Sequence, residues 1–267
     1  MKKFISLFLS VIMVLSLASC AKKEKDTKVL YGMLAELGTP EGLNDKDSQY
    51  RYFDDINSMI IALESNKIDQ IIKLPLSVGK YVARENDDIM VLNGKDFVGN
   101  IYLHMGVLKE NSSLYNQLNH AINTLSENGT LERLKGEYIE SFAESGKEPK
   151  AGSIPFTPGL ETIRVAVTGD MPPIDYVSAD GNPAGFNVAL LTEISKILNV
   201  NIELVTVNSA SRLLALTENR VDVVFCFNEG VLENADTKEK IEISDVPDSV
   251  SITDSYFDEA AAFLIKK

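Results

Sequence analysis

Ser58-Met-Ile-Ile-Ala-Leu-Glu-Ser-Asn-Lys-Ile-Asp-Gln-Ile-Ile72 returns as Ser211-Arg-Leu-Leu-Ala-Leu-Thr-Glu-Asn-Arg-Val-Asp-Val-Val-Phe225, an offset of 211 − 58 = 153 with no gap. Each copy reads as a helix opened by a capping Ser and ended at Asn66 or Asn219, where a left-handed turn is tolerated. A short apolar strand, buried on both faces, follows each helix. Two such units in one chain predict an α/β protein of two lobes, each a mostly parallel sheet flanked by helices.

Outward from the repeat, residues 143–160 are rich in Gly, Pro and charge and lack periodicity, which marks a linker. Before it, Val29–Met33, Ile68–Ile72 and Ile101–Val107 read as strands and Ser58–Ser65 as a helix. Ser113–Leu125 and Leu131–Phe142 read as helices separated by Glu127-Asn-Gly-Thr130, with Gly129 ending one and Thr130 capping the next. After the linker, Ile163–Thr168 and Ile202–Val207 read as strands, and Phe186–Leu198 as a helix stopped by Asn199. Gly169-Asp-Met-Pro-Pro173 reads as a loop from which two prolines exclude regular structure. In open parallel sheets, ligands collect where strands end and helices begin, so the loops after strands are the candidate site.

The chain of 267 residues opens with Lys2, Lys3 and an apolar run from Phe4 to Leu17, then Leu17-Ala-Ser-Cys20. That pattern predicts an export signal over 1–19 and lipid attachment to Cys20, with 20–27 as a polar tether and no spanning helix. The remaining alternative is a secreted protein cut elsewhere. With the Cys20 sulfur carrying the lipid, Cys226 alone would keep a free thiol, so no internal disulfide is expected and the core must stabilise the fold. About 248 residues remain, enough for one large or two modest domains. The net charge of −13 becomes −15 once Lys2 and Lys3 are removed, which argues against nucleic acid or an anionic membrane face as partner.

Ile163-Arg-Val-Ala-Val-Thr-Gly-Asp-Met-Pro-Pro-Ile-Asp-Tyr176, Asp180-Gly181, Ala184-Gly-Phe-Asn-Val188 and the run ending Val221-Asp222 resemble the opening lobe of extracellular solute-binding proteins of the polar amino acid type. Thr253-Asp-Ser-Tyr256 stands where that family closes the lobe with an Asp-Pro-Tyr-like stretch. Phe53-Asp-Asp, Ala62-Leu, Lys67-Ile-Asp69, Ile101–Leu108 and Asn128-Gly-Thr-Leu131 resemble its second lobe and terminal helices. The order is reversed relative to the family, so the chain resembles a circular permutant. The resemblance implies that residues 28–110 form lobe 2, 111–142 the terminal helices packed on lobe 1, 143–160 the joint between the old ends, and 161–267 lobe 1. A flexible joint of 18 residues spans about 23–25 Å. The permutation is expected to cut the interlobe strand near Leu264 and Val29, leaving Ile101–Leu108 as the continuous hinge. A monomer is expected, with exchange of halves between two chains as the alternative.

The resemblance implies a clamshell that closes on a small molecule and is then read by an ABC transporter permease, the membrane being touched through the lipid alone. It implies no cofactor, no metal and no catalytic residue. It also places two charge anchors for an amino acid, and neither is present: Asn234 stands at the Arg position that forks onto a carboxylate, and Leu74 at the Asp that receives the ammonium. Met171 replaces the aromatic of the proline loop. Lys238 or helix N-termini are the remaining partners for a carboxylate. The candidate ligand-binding residues are Asp170, Met171 and Ile174 from the loop, Phe227, Asn228, Glu229 and Asn234 after the repeat strand, and Leu34, Glu36, Lys73 and Leu74 from the other lobe. The solute expected is amino-acid-like or less polar.

Asp69 and Asp222, repeated at one place in both halves, are expected to fix turns or backbone amides rather than touch ligand. Cys226 reads as a small buried hydrophobe, and His104 and His120 lack a neighbouring histidine that would make a metal site. Asp45-Lys-Asp47 and Asp87-Asp88 read as solvated loops, because calcium-ligand spacing is absent. Two alternatives to a transport receptor stay open. One is a degenerate receptor acting as a sensor or surface interaction module. The other is an enzyme on the same fold, against which no nucleophile-base pair is found.

Overall fold

The computed structural model describes residues 29–35, 50–92, 97–149, 153–234, 240–244 and 246–267; for 97–98, 143–144, 226–234 and 240–244 it describes the backbone alone. The export signal, Cys20, the tether, Glu36, Asp45, Asp47 and Lys238 lie outside these residues, and the side chain of Cys226 does too.

The early half runs β1 (Tyr31–Leu34), β2 (Tyr50–Phe53), α1 (Ile56–Glu64), β3 (Gln70–Pro75), α2 (Leu76–Glu85), β4 (Ile89–Val91), β5 (Phe97–Val98) and β6 (Asn100–Leu108). Helices α3 (Ser112–Glu127), α4 (Thr130–Lys135) and, after a π turn at Gly136–Glu140, α5 (Ser141–Ser145) follow. The late half runs β7 (Thr162–Val167), β8 (Asp170–Met171), β9 (Asp175–Val177), β10 (Pro183–Ala184), α6 (Phe186–Leu198) and β11 (Asn201–Thr206). A 3-10 turn (Ser209–Ser211) leads to α7 (Arg212–Thr217), then β12 (Val223–Asn234), β13 (Lys240–Ser244), β14 (Val250–Ile252) and β15 (Phe257–Lys266).

One sheet of twelve strands joins the halves in the order β11-β7-β12-β6-β15-β3-β1-β2. At one end β11, β7 and β12 are parallel; at the other β3, β1 and β2 are parallel. This is the α/β, mostly parallel architecture expected from the repeat. Between the parallel groups stand β6 and β15, antiparallel to their neighbours. Phe257–Ala260 of β15 pair with β6, while Ala261–Ile265 pair with β3 and Leu264–Lys266 with β4. The strand around Leu264, expected to be severed, is therefore unbroken through Lys266. Its hydrogen bonds to β3 and β4 satisfy backbone groups of both halves. Strand β6 pairs with β12 and β14 of the late half.

Helix α6 buries Leu190, Leu191 and Ile194 to 1% exposure or less. Each such side chain contributes about 1.5–3 kcal/mol. Helices α3 and α4 pack against α6, bringing Leu118, Ala121 and Leu125 into the same core. Leucine, isoleucine and alanine recurring every third or fourth residue give both helices a buried stripe.

Both repeat helices end as expected, at Asn66 and Asn219 with φ of 55°. Both start differently. The cap of α1 is Asp55, whose carboxylate accepts from the Ser58 N–H at 2.7 Å and the Ser58 hydroxyl at 2.8 Å. In the late copy Asn208 caps the 3-10 turn by accepting from the Ser211 N–H at 2.8 Å. Asp55 and Asn208 keep the offset of 208 − 55 = 153, so the repeat extends three residues further back than expected. A serine at the third helical position donates to the cap; it does not supply it. Likewise Gly129, at φ 77°, is the N-cap of α4, and Asn128 closes α3 while accepting from the Thr130 N–H. The helix expected over Leu131–Phe142 is interrupted by its π turn, an extra residue per turn that apolar spacing does not reveal. In the proline loop, Asp170 and Met171 pair with Tyr176 and Asp175, because their main chain is free although the prolines' is not. The Pro172–Pro173 bond is cis.

Candidate functional site

A groove of about 620 Å³ lies between the halves. The early half supplies Asn57, Ile60, Ile61 and Glu64 from α1 and Tyr81, Val82 and Glu85 from α2. The late half supplies Gly169, Asp170, Pro172, Tyr176 and Val177. Positions 57, 60, 61 and 64 stand at i, i+3, i+4 and i+7, a second face of α1 beside the core face of Ile56, Met59 and Leu63. Ile61 is 61% exposed there, a large apolar residue turned to the groove instead of the core.

The late wall is a hairpin anchored from below. Asp175 is fully buried and accepts from the main-chain N–H groups of Thr168 and Gly169, both at 3.0 Å. Gly169 has φ 75°, and a Cβ there would stand 2.9 Å from Val177 Cγ2. Gly185, at φ 103°, lets the start of α6 pass beneath the hairpin, where a Cβ would meet the Ile174 and Pro173 carbonyl oxygens at 2.6 and 2.8 Å.

Burial holds the Asp170 carboxyl above the usual carboxylate range; the Thr168 hydroxyl, the main-chain N–H of Ile56 and the charge of Arg212 act against it. Ile56 is the first residue of α1, so this late-half carboxylate meets the N-terminus of an early-half helix. Asp170 Oδ1 is buried without a hydrogen-bond partner. Beneath it, burial likewise raises the Asp175 carboxyl against the two main-chain bonds it accepts. Arg212, 1% exposed, donates to the carbonyls of Phe225 at 2.6 Å and Ser209 at 3.3 Å, and its charge reaches both carboxylates.

One end of the groove is walled by rings. Phe142 of α5 stacks on Tyr81 at 5.7 Å and on Tyr176 at 6.0 Å, one ring from each half. The Arg84 guanidinium lies 5.1 Å from the centres of both Tyr81 and Phe142 and donates to the Phe142 carbonyl at 3.1 Å. At the other side of α2, Glu259 of β15 accepts from the N–H and hydroxyl of Ser77 at 2.8 and 2.7 Å.

Of the residues expected at the site, Asp170 lines the groove. Met171, Ile174, Leu34 and Leu74 are buried at 4%, 0%, 6% and 1% and belong to the core. Lys73 is buried on β3 with φ 67°. Phe227, Asn228, Glu229 and Asn234 lie along β12, the first three opposite His104, Leu103 and Tyr102 of β6 and Asn234 opposite Phe97. Sequence reasoning missed the α1 and α2 walls. The available signal was Ile60-Ile61, apolar residues off the core stripe of a short helix.

Asp69 and Asp222 do hold backbone: each accepts a main-chain N–H, from Leu30 and Arg164 respectively, at 2.8 Å. His104 binds the Thr253 carbonyl through Nδ1 at 2.8 Å, and His120 is exposed on α3. Among the described residues no cluster of three or more His, Cys, Asp or Glu could hold a metal, and no helix is long and apolar enough to cross a membrane.

Residues 163–253 match the family of bacterial extracellular solute-binding proteins, family 3. No curated protein matches the chain. Solved structures with a similar course include AgaA from A. tumefacien R10 in complex with agropinic acid, 12% identical over 82% of this chain and 55% of that one, with a TM-score of 0.42. Others are an ancestral arginine-binding protein bound to arginine (15% identity, 90% and 85% coverage, TM-score 0.38) and a putative L-cystine ABC transporter from Listeria monocytogenes (12%, 90% and 82%, 0.34). The chain spans about half the length of AgaA. The likeness to bacterial extracellular solute-binding proteins of family 3 is therefore one of residues 163–253, within the late half.

Proposed function

We propose that this chain is a lipid-anchored extracytoplasmic solute-binding protein that captures a small molecule between its two halves and presents it to an ABC importer. The observation that carries the reading is the groove of about 620 Å³ with one wall from each half. Its volume is that of small-molecule sites, and apolar walls with a few polar groups suit one. Strand β15 pairs with β6 at one end and with β3 and β4 at the other, so it crosses between the two parallel groups, as a strand at a hinge does. Cys20 is the lipid attachment point, and the reversed order of the halves is a circular permutation joined through 143–160.

The test is to purify the chain and identify retained small molecules by mass spectrometry, followed by calorimetry across a metabolite panel. A stoichiometric bound solute is expected. Absence of any binding solute removes the capture reading and favours the sensor or interaction module. That second reading draws on one observation: among the described residues that line the groove there is no Lys or Arg to receive the free carboxylate of an amino acid. Light scattering is expected to give a monomer; an obligate dimer means exchanged halves.

A further inference from the structure

We infer that the solute held in this groove is an organic cation with an apolar body, an amine or guanidine lacking a free carboxylate, with Asp170 as its charge partner. This rests on the capture reading and goes beyond it by naming the class of solute.

Among the described residues, the charged side chains that line the groove are Glu64, Glu85 and Asp170, all acidic. Glu85 is already paired with Arg84 at 3.0 Å, and Arg84 is held by the Phe142 carbonyl. Asp170 differs from both glutamates: it lies between the halves, and one of its oxygens is buried without a partner. A buried acceptor left unpaired is costly, and a cation arriving with the solute removes that cost by a charge-assisted hydrogen bond. Arg212 does not satisfy the same need. It is one guanidinium facing two carboxylates, Asp170 and Asp175, and it donates to two main-chain carbonyls as well. Arg212 is thus shared among four acceptors and leaves the unpartnered oxygen of Asp170 to a donor arriving from the groove.

The rest of the lining selects for the body of the solute. Ile60, Ile61 and Val82 on one side, Pro172 and Val177 on the other, offer apolar area on both walls of the groove. A solute bearing a free carboxylate would bring a like charge beside Asp170 with no base among the described lining residues to receive it. An alkyl or aryl amine meets neither obstacle.

Calorimetry on the purified chain near neutral pH with matched skeletons tests this. One set is phenethylamine, phenylalanine and 3-phenylpropanoate; the other is pentylamine, norleucine and hexanoate. The expected result is binding of the amines at least about tenfold tighter than their amino acids, with the acids not binding. Asp170→Asn is expected to weaken amine binding by about tenfold or more. Should that variant fail to fold, Ile61→Lys places a cation on the groove at a position 61% exposed, and is expected to abolish amine binding while leaving stability unchanged. Tighter binding of the amino acids or acids than of the amines overturns the inference and leaves capture intact. If neither set binds in any form, the inference falls, and capture is decided separately by the retained solute and the metabolite panel.

Discussion

Asp69 and Asp222 hold the same position in their respective halves: each carboxylate accepts a main-chain N–H at 2.8 Å, Leu30 before β1 for one and Arg164 in β7 for the other. Each also donates its own N–H to the carbonyl of that same residue, again at 2.8 Å. The turn before each Asp repeats as well, with Asn66 and Asn219 donating to Leu63 and Leu216 at 3.0 Å. The duplicated unit is therefore a clamp that pins a helix-turn-strand to the neighbouring parallel strand. Asp222 differs in adding Arg164, whose Nη2 lies 2.7 Å from Oδ1.

Asp222→Ala is expected to destabilise by about 1–3 kcal/mol, because it strands a main-chain N–H. Asp69→Ala is expected to cost less, since Asp69 is exposed. Urea denaturation of both variants measures the difference; equal effects would mean that the Arg164 contact contributes nothing.

Gly185→Ala forces a side chain into a backbone conformation at φ 103° and against two carbonyl oxygens. A loss of about 1–3 kcal/mol is expected from the strain alone. Asn66→Gly and Asn219→Gly, at φ 55°, are expected to be close to neutral, since glycine takes that region freely. Thermal melts of the three variants check the contrast.

Phe142→Ala removes a ring, 6% exposed, that stacks on Tyr81 and Tyr176 at once. About 3–5 kcal/mol of stability is expected to be lost. Because those tyrosines come from opposite halves, hydrogen exchange is expected to rise in α2 and in β9 together. Exchange rising in α2 alone would show that the stack does not couple the halves.

The pH dependence has opposing parts. Burial raises the pKa of Asp170 and Asp175 in the folded state, so the folded protein binds protons that the unfolded chain has released. Their share of stability is greatest below the unfolded carboxylate pKa of about 3.9 and falls as pH rises through the raised values. Asp222 acts oppositely. Burial pushes its pKa up, but the hydrogen bonds and charge of Arg164 outweigh that and leave it lowered. Its share is present above the unfolded value and lost as pH falls through the folded one. Asp170→Asn is expected to flatten the decline of stability between about pH 4 and neutrality. Melting temperatures across that range test it; an unchanged slope removes Asp170 from the account.

Sequence alone determined the duplicated α/β unit, the two parallel groups of strands, the Asn stops and the backbone role of Asp69 and Asp222. These are local: apolar spacing, residues that tolerate a left-handed turn, and a carboxylate at a fixed distance from its own strand. It also singled out Asp170 by its loop. What only the tertiary structure decided is which surfaces face each other. The buried Met171, Ile174, Leu34 and Leu74 are apolar residues like any pocket lining, and nothing in one chain's pattern says whether such a residue turns to a groove or to the core. Asn57, Ile60 and Ile61 were legible as a second helix face but not as a wall, because the opposite wall lies more than a hundred residues away and is brought there by the pairing of β6 and β15. That pairing depends on register between distant strands, a property set by packing and not written in either segment alone.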